Sequence, residues 1–200
     1  MPVKGDDGHR APRRTQQERR ATTRAALLAA GRELFATKGF AGAGREEIVE
    51  RAGVTRGAMY HHFASKEDLF AAVFEEVEAE VMAHVAEAAM AGSDPLDELR
   101  RGSLAYLDIA ADAGVNRICL LDAPAVLSPD VRREVTERHV VGLVQAGLEA
   151  CMAAGQIERQ PVEPLARVLL AALLEAATLV AQGSDRDQVA TVVERMLSRL

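Results

Sequence analysis

Apolar residues recur along this chain three or four positions apart, the spacing that places side chains on one face of a helix. The first such stripe consists of Ala25, Leu28, Leu34 and Phe35. Thr22 and Thr23 are candidate N-caps for this helix, and Gly39 is expected to end it after Lys38. The pattern therefore predicts one amphipathic helix near the start of the chain.

Two short helical segments and one long one follow. Their predicted ranges are residues 45–52, 55–63 and 65–90, and Thr55 is a candidate N-cap for the second. Ser65, with Asp68 three positions later, has the spacing of a capping box that opens the long helix. The first third of the chain is thus predicted to hold short helices joined by tight turns.

The rest of the chain continues the helical pattern. Breaks at Gly, Ser and Pro separate five more predicted segments, at about residues 96–110, 118–124, 129–154, 162–182 and 185–200. The segment 162–182 is apolar almost all round, with Glu175 as the main exception, so it requires cover on every side. Because no strand-like alternation and no internal repeat occur, the predicted fold class is all-α.

Charge divides the chain unevenly. Residues 1–66 hold 13 Lys and Arg against 7 Asp and Glu, a net charge of +6, whereas residues 67–200 hold 11 against 23, a net charge of −12. A basic first third suits contact with a polyanion such as DNA, while the acidic remainder repels it. The alternative is a solvated basic tail, because six arginines fall between Arg10 and Arg24. Residues 1–14 lack apolar periodicity and are predicted to form a disordered basic arm.

Cysteine usage and the lack of an export signal favour the cytoplasm. Cys119 and Cys151 form no CxxC motif and have no histidine at metal-ligand spacing, which argues against a disulfide framework and a zinc site. The first twenty residues have no apolar core of a signal peptide. No charge-poor apolar run was found to reach the roughly 18 residues of a spanning helix. We therefore expect a soluble, cytoplasmic protein without a membrane partner.

Residues 45–63 have the spacing of a helix-turn-helix, whose second helix enters the major groove of DNA. The inward apolar positions would be Ile48, Ala52, Val54, Met59 and Phe63, and the outward ones Arg56, Gly57, Tyr60 and His61. Glycine inside a helix costs roughly 1 kcal/mol relative to alanine. Its lack of a side chain would let the backbone approach a phosphate or base.

The stretch ELFATKGFAGAGREEIVERAGVTRGAMYHHFASKEDLF resembles the TetR family of one-component transcriptional regulators, through the long pattern AGVxxGxxYxHFxxKExL. The resemblance extends from Arg24 to about Phe70. It implies an all-α protein with a three-helix DNA-binding domain at residues 15–66. A larger helical domain at residues 67–200 would bind an effector and form a homodimer.

The resemblance also assigns roles to single residues. Positions matching Arg56, Gly57, Ala58 and His61 face base edges, and Arg45 can reach a base. Tyr60 and His62 touch the sugar-phosphate backbone, and Lys66 meets a phosphate. The expected DNA contacts are Arg45, Thr55, Arg56, Gly57, Ala58, Tyr60, His61, His62 and Lys66. The chain departs from the family where Ala43 and Gly44 replace the usual hydroxyl residues, which puts one phosphate contact in doubt.

Other chemistries fit these residues poorly. His61 and His62 are adjacent on a helix and point about 100° apart, so they do not easily share a metal. The segment GFAGAG lacks the glycine order of a dinucleotide loop, and no strand precedes it. Motifs of nucleophilic or metal-dependent hydrolysis are absent from the sequence. We expect no metal, no cofactor and no enzymatic activity.

The resemblance implies that the last two long helices pair with those of a second copy. Two recognition helices would then lie about 34 Å apart and bind an inverted-repeat operator in double-stranded DNA. The predicted interface consists of Leu165, Val168, Leu169, Ala172, Leu173, Ala176, Leu179, Val189, Val192, Val193 and Met196.

A helical body of this kind is expected to hold an apolar cavity with a few polar groups. Tyr106, His139 and Glu175 interrupt apolar faces and are candidate effector contacts; Arg117, Cys119, Asp122 and Gln145 are weaker ones. The alternative is that each is an ordinary buried polar group with a hydrogen-bond partner. Since only Phe70, Phe74 and Tyr106 are aromatic after residue 66, an aliphatic or amphipathic effector is favoured.

These observations predict a homodimeric repressor released from its operator by a small-molecule effector. The effector would favour a body conformation in which the helix starting near Lys66 is tilted. Two alternatives remain: a DNA-binding protein without an effector, and a helical enzyme or carrier. The first would show weak sequence preference, and the second would show turnover or a copurifying cargo.

Overall fold

The computed structural model describes residues 15–200, and every regular element in that range is helical, which confirms the all-α fold class. The predicted disordered arm, residues 1–14, lies outside the described residues. In chain order the helices are α1 (Gln16–Gly42), α2 (Arg45–Arg51), α3 (Arg56–His62), α4 (Lys66–Ala89), α5 (Pro95–Ala110), α6 (Ala113–Val115), α7 (Ala123–Val126), α8 (Pro129–Thr136), α9 (Gly142–Ala153), α10 (Val162–Ala181) and α11 (Arg186–Leu197). A π-helical segment, Asn116–Asp122, joins α6 to α7, and a second, Glu137–Val141, joins α8 to α9.

Side-chain caps fix where the N-terminal helices begin. Thr15 caps α1 in a capping box with Glu18, so the prediction of Thr22 or Thr23 as the cap is wrong. Thr22 lies inside the helix and donates its hydroxyl hydrogen bond to the Glu18 carbonyl at 2.8 Å. The capping box at Ser65 is confirmed, since its hydroxyl accepts from the Asp68 amide at 2.9 Å.

A glycine interrupts α1 near its C-terminal end. Gly39 has a φ of 73°, in the left-handed region that residues with a Cβ rarely adopt. One further helical turn, residues 40–42, follows this break. The regular part of α1 therefore ends at Lys38, as the sequence indicated, and the extra turn leads into α2.

Two apolar cores hold the helices together. The first joins α1, α2, α3 and α4, and Phe35 and Phe70 meet in it edge to face with ring centroids 5.1 Å apart. The second joins α5, α9, α10 and α11 around Leu107, Leu148 and Leu173. The long helix α4 also packs along α5, which links the two cores.

Helix α10 is long and apolar enough, by length and composition, to meet the criterion for a membrane-spanning helix. It contains an 18-residue stretch with at most two charged residues and a mean hydropathy of 1.8, so the statement that no such run exists is corrected. The helix packs on α5, α9 and α11 within the body. Its outer face is uncovered, because Val168 remains 68% exposed and Leu179 is also exposed.

The buried face of α10 changes the predicted dimer surface. Leu169, Leu173, Ala176 and Val193 lie inside the second core and are not available to a partner in this conformation, so their assignment to the interface is corrected. Val168, Leu179 and Val192 are exposed. The other predicted interface residues are half-buried: Leu165, Ala172, Val189 and Met196.

Candidate DNA-binding surface and effector cavity

Helix α3 presents a polar face outward because its apolar side chains are used in the core. Met59 and Phe63 are buried, together with Ile48 of α2. The exposed residues on this short helix and at its start are Thr55, Arg56, Gly57, Tyr60 and His61, whereas Ala58 and His62 are half-buried. Thr55 also accepts the Ala58 amide hydrogen bond at 3.2 Å, so its hydroxyl already has one partner.

Two arginines at the edge of this face interact with neighbours in the free protein. Arg56 forms an ion pair with Glu46 of α2, and its side chain remains 64% exposed. Arg45 lies at the first position of α2, with a guanidinium nitrogen 3.5 Å from the Tyr60 hydroxyl. Both contacts are on the surface and are weak enough to exchange for contacts with DNA.

Glycines leave open space on the same surface. A Cβ placed on Gly57 or on Gly44 would meet no atom within 4 Å, so packing within the chain does not require glycine at either position. Gly44 precedes α2 without a side-chain cap, consistent with the departure from the family pattern noted in the sequence. The absence of intrachain contacts at Gly57 is compatible with close approach of another molecule.

Lys66 is tied to the end of α1. Its ammonium donates to the carbonyl oxygens of Phe40 at 2.7 Å and Ala43 at 3.1 Å, and it lies 4.1 Å from the centroid of the Phe40 ring. An ammonium has three N–H donors, so one remains beyond these two contacts. A phosphate contact by Lys66 therefore remains a prediction, and the residue has a structural role besides.

Positive charge surrounds the end of α3. Partial burial, followed by the charges of His61, Arg20 and Arg24, lowers the pKa of His62 from its ordinary value. The rings of His61 and His62 meet edge to face with centroids 5.6 Å apart. A nearby DNA phosphate would oppose these effects and favour the protonated imidazole.

The body contains a cavity of about 800 Å³, a volume typical of small-molecule sites. Its walls come from α4, α5, α7, α8, α9, α10 and both π-helical segments, and most of the lining side chains are apolar. The polar side chains in the lining are Glu78, Glu98, Ser103, Tyr106, Cys119, Arg132, Thr136, Arg167 and Thr178. Tyr106 and Cys119 were predicted to contact an effector, whereas Glu78 and Arg132 were not.

The sequence contains a pattern that could have identified Glu78 as a candidate effector contact. This residue lies four residues after Phe74 and four before Met82, which places it in the apolar stripe of α4, and both of those residues also line the cavity. Burial raises the pKa of its carboxyl group, although contact with Cys119 and the charge of His139 partly oppose that rise. Burial likewise raises the pKa of Tyr106 and of the Cys119 thiol.

The other predicted effector contacts lie outside the cavity lining. His139 is 3.4 Å from the Glu75 carboxylate, and Glu175 is exposed on the outer face of α10. Gln145 is half-buried on α9, away from the lining, and Arg117 approaches the end of α1. These four residues are therefore not direct cavity contacts in this conformation.

Asp122, a weaker candidate, joins the body to the DNA-binding helices. Its carboxylate accepts the Phe40 amide hydrogen bond at 2.7 Å. Arg117 lies beside the neighbouring Gly39, where an added Cβ would come 2.9 Å from a guanidinium nitrogen. The segment Asn116–Asp122 thus contacts α1 through these two residues and the cavity through Cys119.

Two family models match most of the chain. Residues 27–73 match bacterial regulatory proteins of the tetR family, and residues 96–200 match a tetracyclin repressor-like C-terminal domain. The second match alone covers more than half of the chain. The chain belongs to the TetR family.

Individual transcriptional regulators resemble the chain in sequence and fold. The transcriptional activator FasR of Mycolicibacterium smegmatis is 33% identical over 145 residues, which are 72% of this chain and 58% of FasR. The chain thus spans less than two thirds of that relative. A TetR-family regulator of Pectobacterium atrosepticum, solved as a crystal structure, is 33% identical with a TM-score of 0.76, over 92% of this chain and 94% of its own.

A third protein resembles the chain in fold alone. FadR of Bacillus subtilis, solved in complex with stearoyl-CoA, has a TM-score of 0.72 at 19% identity, over 87% of this chain and 97% of its own. TetR membership confirms the helix-turn-helix that the spacing of residues 45–63 predicted. The roles of single residues on DNA, in the cavity and at a dimer surface remain predictions.

Proposed function

We propose that this TetR-family protein is a homodimeric repressor that binds an inverted-repeat operator and is released by an amphipathic small molecule. The proposal rests chiefly on one observation: the segment Asn116–Asp122 lines the cavity on one side and contacts α1 on the other. Such a protein acts on chromosomal DNA, so we place it in the bacterial cytoplasm. The likeness to other TetR regulators supports this function over that of an enzyme or carrier.

The DNA contacts would come from the face of α3 and from the start of α2. Arg56 suits bidentate contact with guanine, and Gly57 permits close approach of the helix. Tyr60 and His62 suit the sugar-phosphate backbone, and the remaining N–H donor of Lys66 suits a phosphate. One subunit offers few base contacts, so useful specificity requires two copies on two half-sites.

A second copy would cover the outer faces of α10 and α11. Val168 and Val192 are about two thirds exposed, at 68% and 67%, and Leu179 is also exposed. Large apolar side chains that remain exposed on neighbouring helices commonly mark an interface. A twofold pairing of these helices would set the separation of the two α3 helices.

Release would follow from a ligand that prefers one arrangement of the cavity. A ligand in contact with Cys119 or Leu120 would shift the segment Asn116–Asp122, and with it the hydrogen bond from Phe40 to Asp122. The segment Asn116–Asp122 is π-helical, and short π-helical segments occur frequently at functional sites. Only a ligand that binds the two conformations unequally would change DNA affinity.

Selection of bound sequences from random DNA tests the proposal. We expect an inverted repeat with half-sites one helical turn or slightly more apart. Arg56→Ala should abolish preference at particular base pairs, while Arg195→Ala, an exposed arginine on α11, should leave it unchanged. Uniform binding to all sequences would support the effector-free DNA-binding alternative instead. A promoter–reporter assay separates repression from activation, the direction named for the FasR relative.

A further inference from the structure

The cavity lining contains two acidic residues, Glu78 and Glu98; Glu98 is exposed, whereas Glu78 is half-buried among apolar neighbours. Glu78 points into the same region as Tyr106 and Cys119, whose ionisation its charge opposes. Both Glu78 and Cys119 line the cavity, and each influences the pKa of the other. An ionised carboxylate in such surroundings is costly unless a cation neutralises it.

Arg138 and His139 interact with a different acidic residue, Glu75, rather than with Glu78. Glu75, one turn earlier on α4, forms an ion pair with Arg138 and lies 3.4 Å from His139. Within residues 15–200, the ion pairs that the structure contains do not include Glu78. Glu75 and Glu78 therefore differ in one respect: Glu75 lies outside the cavity lining and has cationic partners, whereas Glu78 lies in the lining and has none.

From Glu78 towards the C-terminal end of α4, the residues of this helix that line the cavity are apolar. The cavity lining reaches Met90, twelve residues further on, which corresponds to about 18 Å at the rise of an α-helix. Small and aliphatic side chains, including Val85, Ala89 and Gly147, form this part of the wall. An extended alkyl chain fits such a passage better than a flat ring system.

We propose that the cavity binds a monocationic amphiphile, with an ammonium head group beside Glu78 and an aliphatic tail along α4 towards Met90. This rests on the proposed function, in which the cavity is the effector site. The Tyr106 hydroxyl and Cys119 thiol border the head group, and the ion pair forms where water is scarce. The ligand class is thereby narrowed from amphipathic molecules in general to alkyl amines and quaternary ammonium compounds.

Two arginines, Arg132 and Arg167, also line the cavity, and Arg167 already forms ion pairs with Glu137 and Glu163. The Nε of Arg132 is buried without a hydrogen-bond partner, so an anionic head group would be drawn to it. An anionic head group would lie beside Arg132 and a cationic one beside Glu78, and substitution of each residue distinguishes the two.

Binding of a cation should release a proton. Burial raises the pKa of the Glu78 carboxyl group, and an ammonium group beside it would lower that pKa. The titratable groups facing Glu78 are Tyr106 from α5, Cys119 from Asn116–Asp122 and His139 from Glu137–Val141. Glu78→Gln removes the carboxyl group and retains the other three, so it isolates the contribution of Glu78.

Isothermal titration calorimetry of the full chain at pH 7 tests the proposal directly. The probes are decyltrimethylammonium, decanoate and decanol, each below its micelle concentration, in two buffers of different ionisation enthalpy. We expect the cation to bind at least about tenfold more tightly than either other probe, with proton release that the buffer comparison reveals. Tighter binding of decanoate that Arg132→Gln abolishes would overturn the proposal, as would equal binding of all three probes.

Two variants on one helix provide the matched comparison. Glu78→Gln should weaken binding of the cation about tenfold or more and abolish proton release, whereas Glu75→Gln should change neither. Glu78→Asp keeps the charge with a shorter side chain and should retain proton release, and thermal melting establishes that each variant is folded. An affinity for decyltrimethylammonium that is unchanged by Glu78→Gln would overturn the proposal.

A separate DNA-binding assay distinguishes this inference from the proposed function. If decyltrimethylammonium binds through Glu78 but leaves operator affinity unchanged, the ligand class stands and the release mechanism fails. If the cation does not bind and operator binding responds only to other ligands, the proposed function is supported and the proposed cationic ligand is wrong.

Discussion

At the scale of single residues, the ion pair between Arg56 and Glu46 sets the charge that α3 offers to DNA. Both side chains are largely exposed, so the pair contributes little to stability. Glu46→Gln should free the guanidinium and remove a repulsive charge, raising operator affinity about three- to tenfold at low salt, with a change in melting temperature near zero. Fluorescence anisotropy with labelled operator at two salt concentrations measures this.

The control for that prediction is Glu149→Gln on α9, which removes the same charge from an exposed site far along the chain. It should leave operator affinity nearly unchanged. Equal gains from both variants would mean that net charge, rather than release of Arg56, governs binding.

Lys66 is expected to combine a structural and a DNA-binding role. Lys66→Met removes the donor to two carbonyl oxygens, so we expect a loss of about 1–3 kcal/mol in the free energy of unfolding. Affinity for all DNA sequences should fall. The slope of log affinity against log salt concentration should decrease in magnitude by about one, the value for one lost phosphate contact. Denaturant unfolding and salt titrations of binding to random DNA measure the two effects.

Lys38→Met is the comparison, because Lys38 forms a surface ion pair with Glu47. We expect less than about 1 kcal/mol of destabilisation from it. If Lys66→Met is no more destabilising than Lys38→Met, the two carbonyl contacts are not important to the fold.

At the scale of helices, the sequence predicted the boundaries that depend on nearby residues. Thr55 and Ser65 begin α3 and α4 because a cap requires only its own first turn. The same logic misplaced the start of α1, where Thr15 and Glu18 supply both halves of a capping box seven residues before Thr22. The type of capping residue was therefore predictable from the sequence. The start of α1 was misplaced because several threonines in this region could serve as its N-cap.

Features that depend on packing were harder to predict. The π-helical segments have no distinct local pattern, since the same residues could form a regular α-helix. Along α10, an almost uniformly apolar sequence gave no sign that Leu173 faces the core while Val168 faces outward. In the cavity, Tyr106 was predictable because it shares the apolar face of its helix, and Cys119 was a weaker candidate, whereas Glu78 is one of many acidic residues on α4 and was not predicted.

The segment Asn116–Asp122 carries the prediction at this scale. Asp122→Ala leaves the Phe40 amide without its acceptor and should cost about 1–2 kcal/mol in the free energy of unfolding. Ligand affinity should stay nearly constant, because Asp122 is outside the cavity lining. Operator release by a saturating ligand should become weaker, since one connection between body and α1 is lost.

Calorimetry and operator release measured on the same preparation check this uncoupling. Asp130→Ala, which removes an exposed carboxylate paired with Arg133 on α8, should affect neither quantity. Unchanged release by Asp122→Ala would show that coupling passes through other contacts, such as the packing of α4 on α5.

At the scale of the whole molecule, the outer faces of α10 and α11 are expected to determine assembly. Each subunit would leave Val168 and Val192 largely exposed if it stayed alone, and a second copy would remove both from water. Glu175 shares this outer face and is also exposed. A partner must therefore pair it with a cation or leave it at the rim of the interface.

A double substitution, Val168→Asp with Val192→Asp, tests this arrangement. A twofold interface would receive four carboxylates, so the dissociation constant of the dimer should rise at least about a hundredfold. The folded subunit should persist, because neither valine belongs to a core of the chain. Affinity for a full operator should fall steeply, while binding to an isolated half-site should remain weak and unchanged.

Sedimentation velocity over a range of concentrations, together with circular dichroism, separates loss of pairing from loss of fold. Val131→Asp, a charge added at an exposed position on α8, serves as the control and should leave the sedimentation coefficient unchanged. If the doubly substituted protein still sediments as a dimer, another surface joins the subunits. The spacing of the half-sites would then have to be explained from that other surface, because the separation of the two α3 helices depends on where the subunits meet.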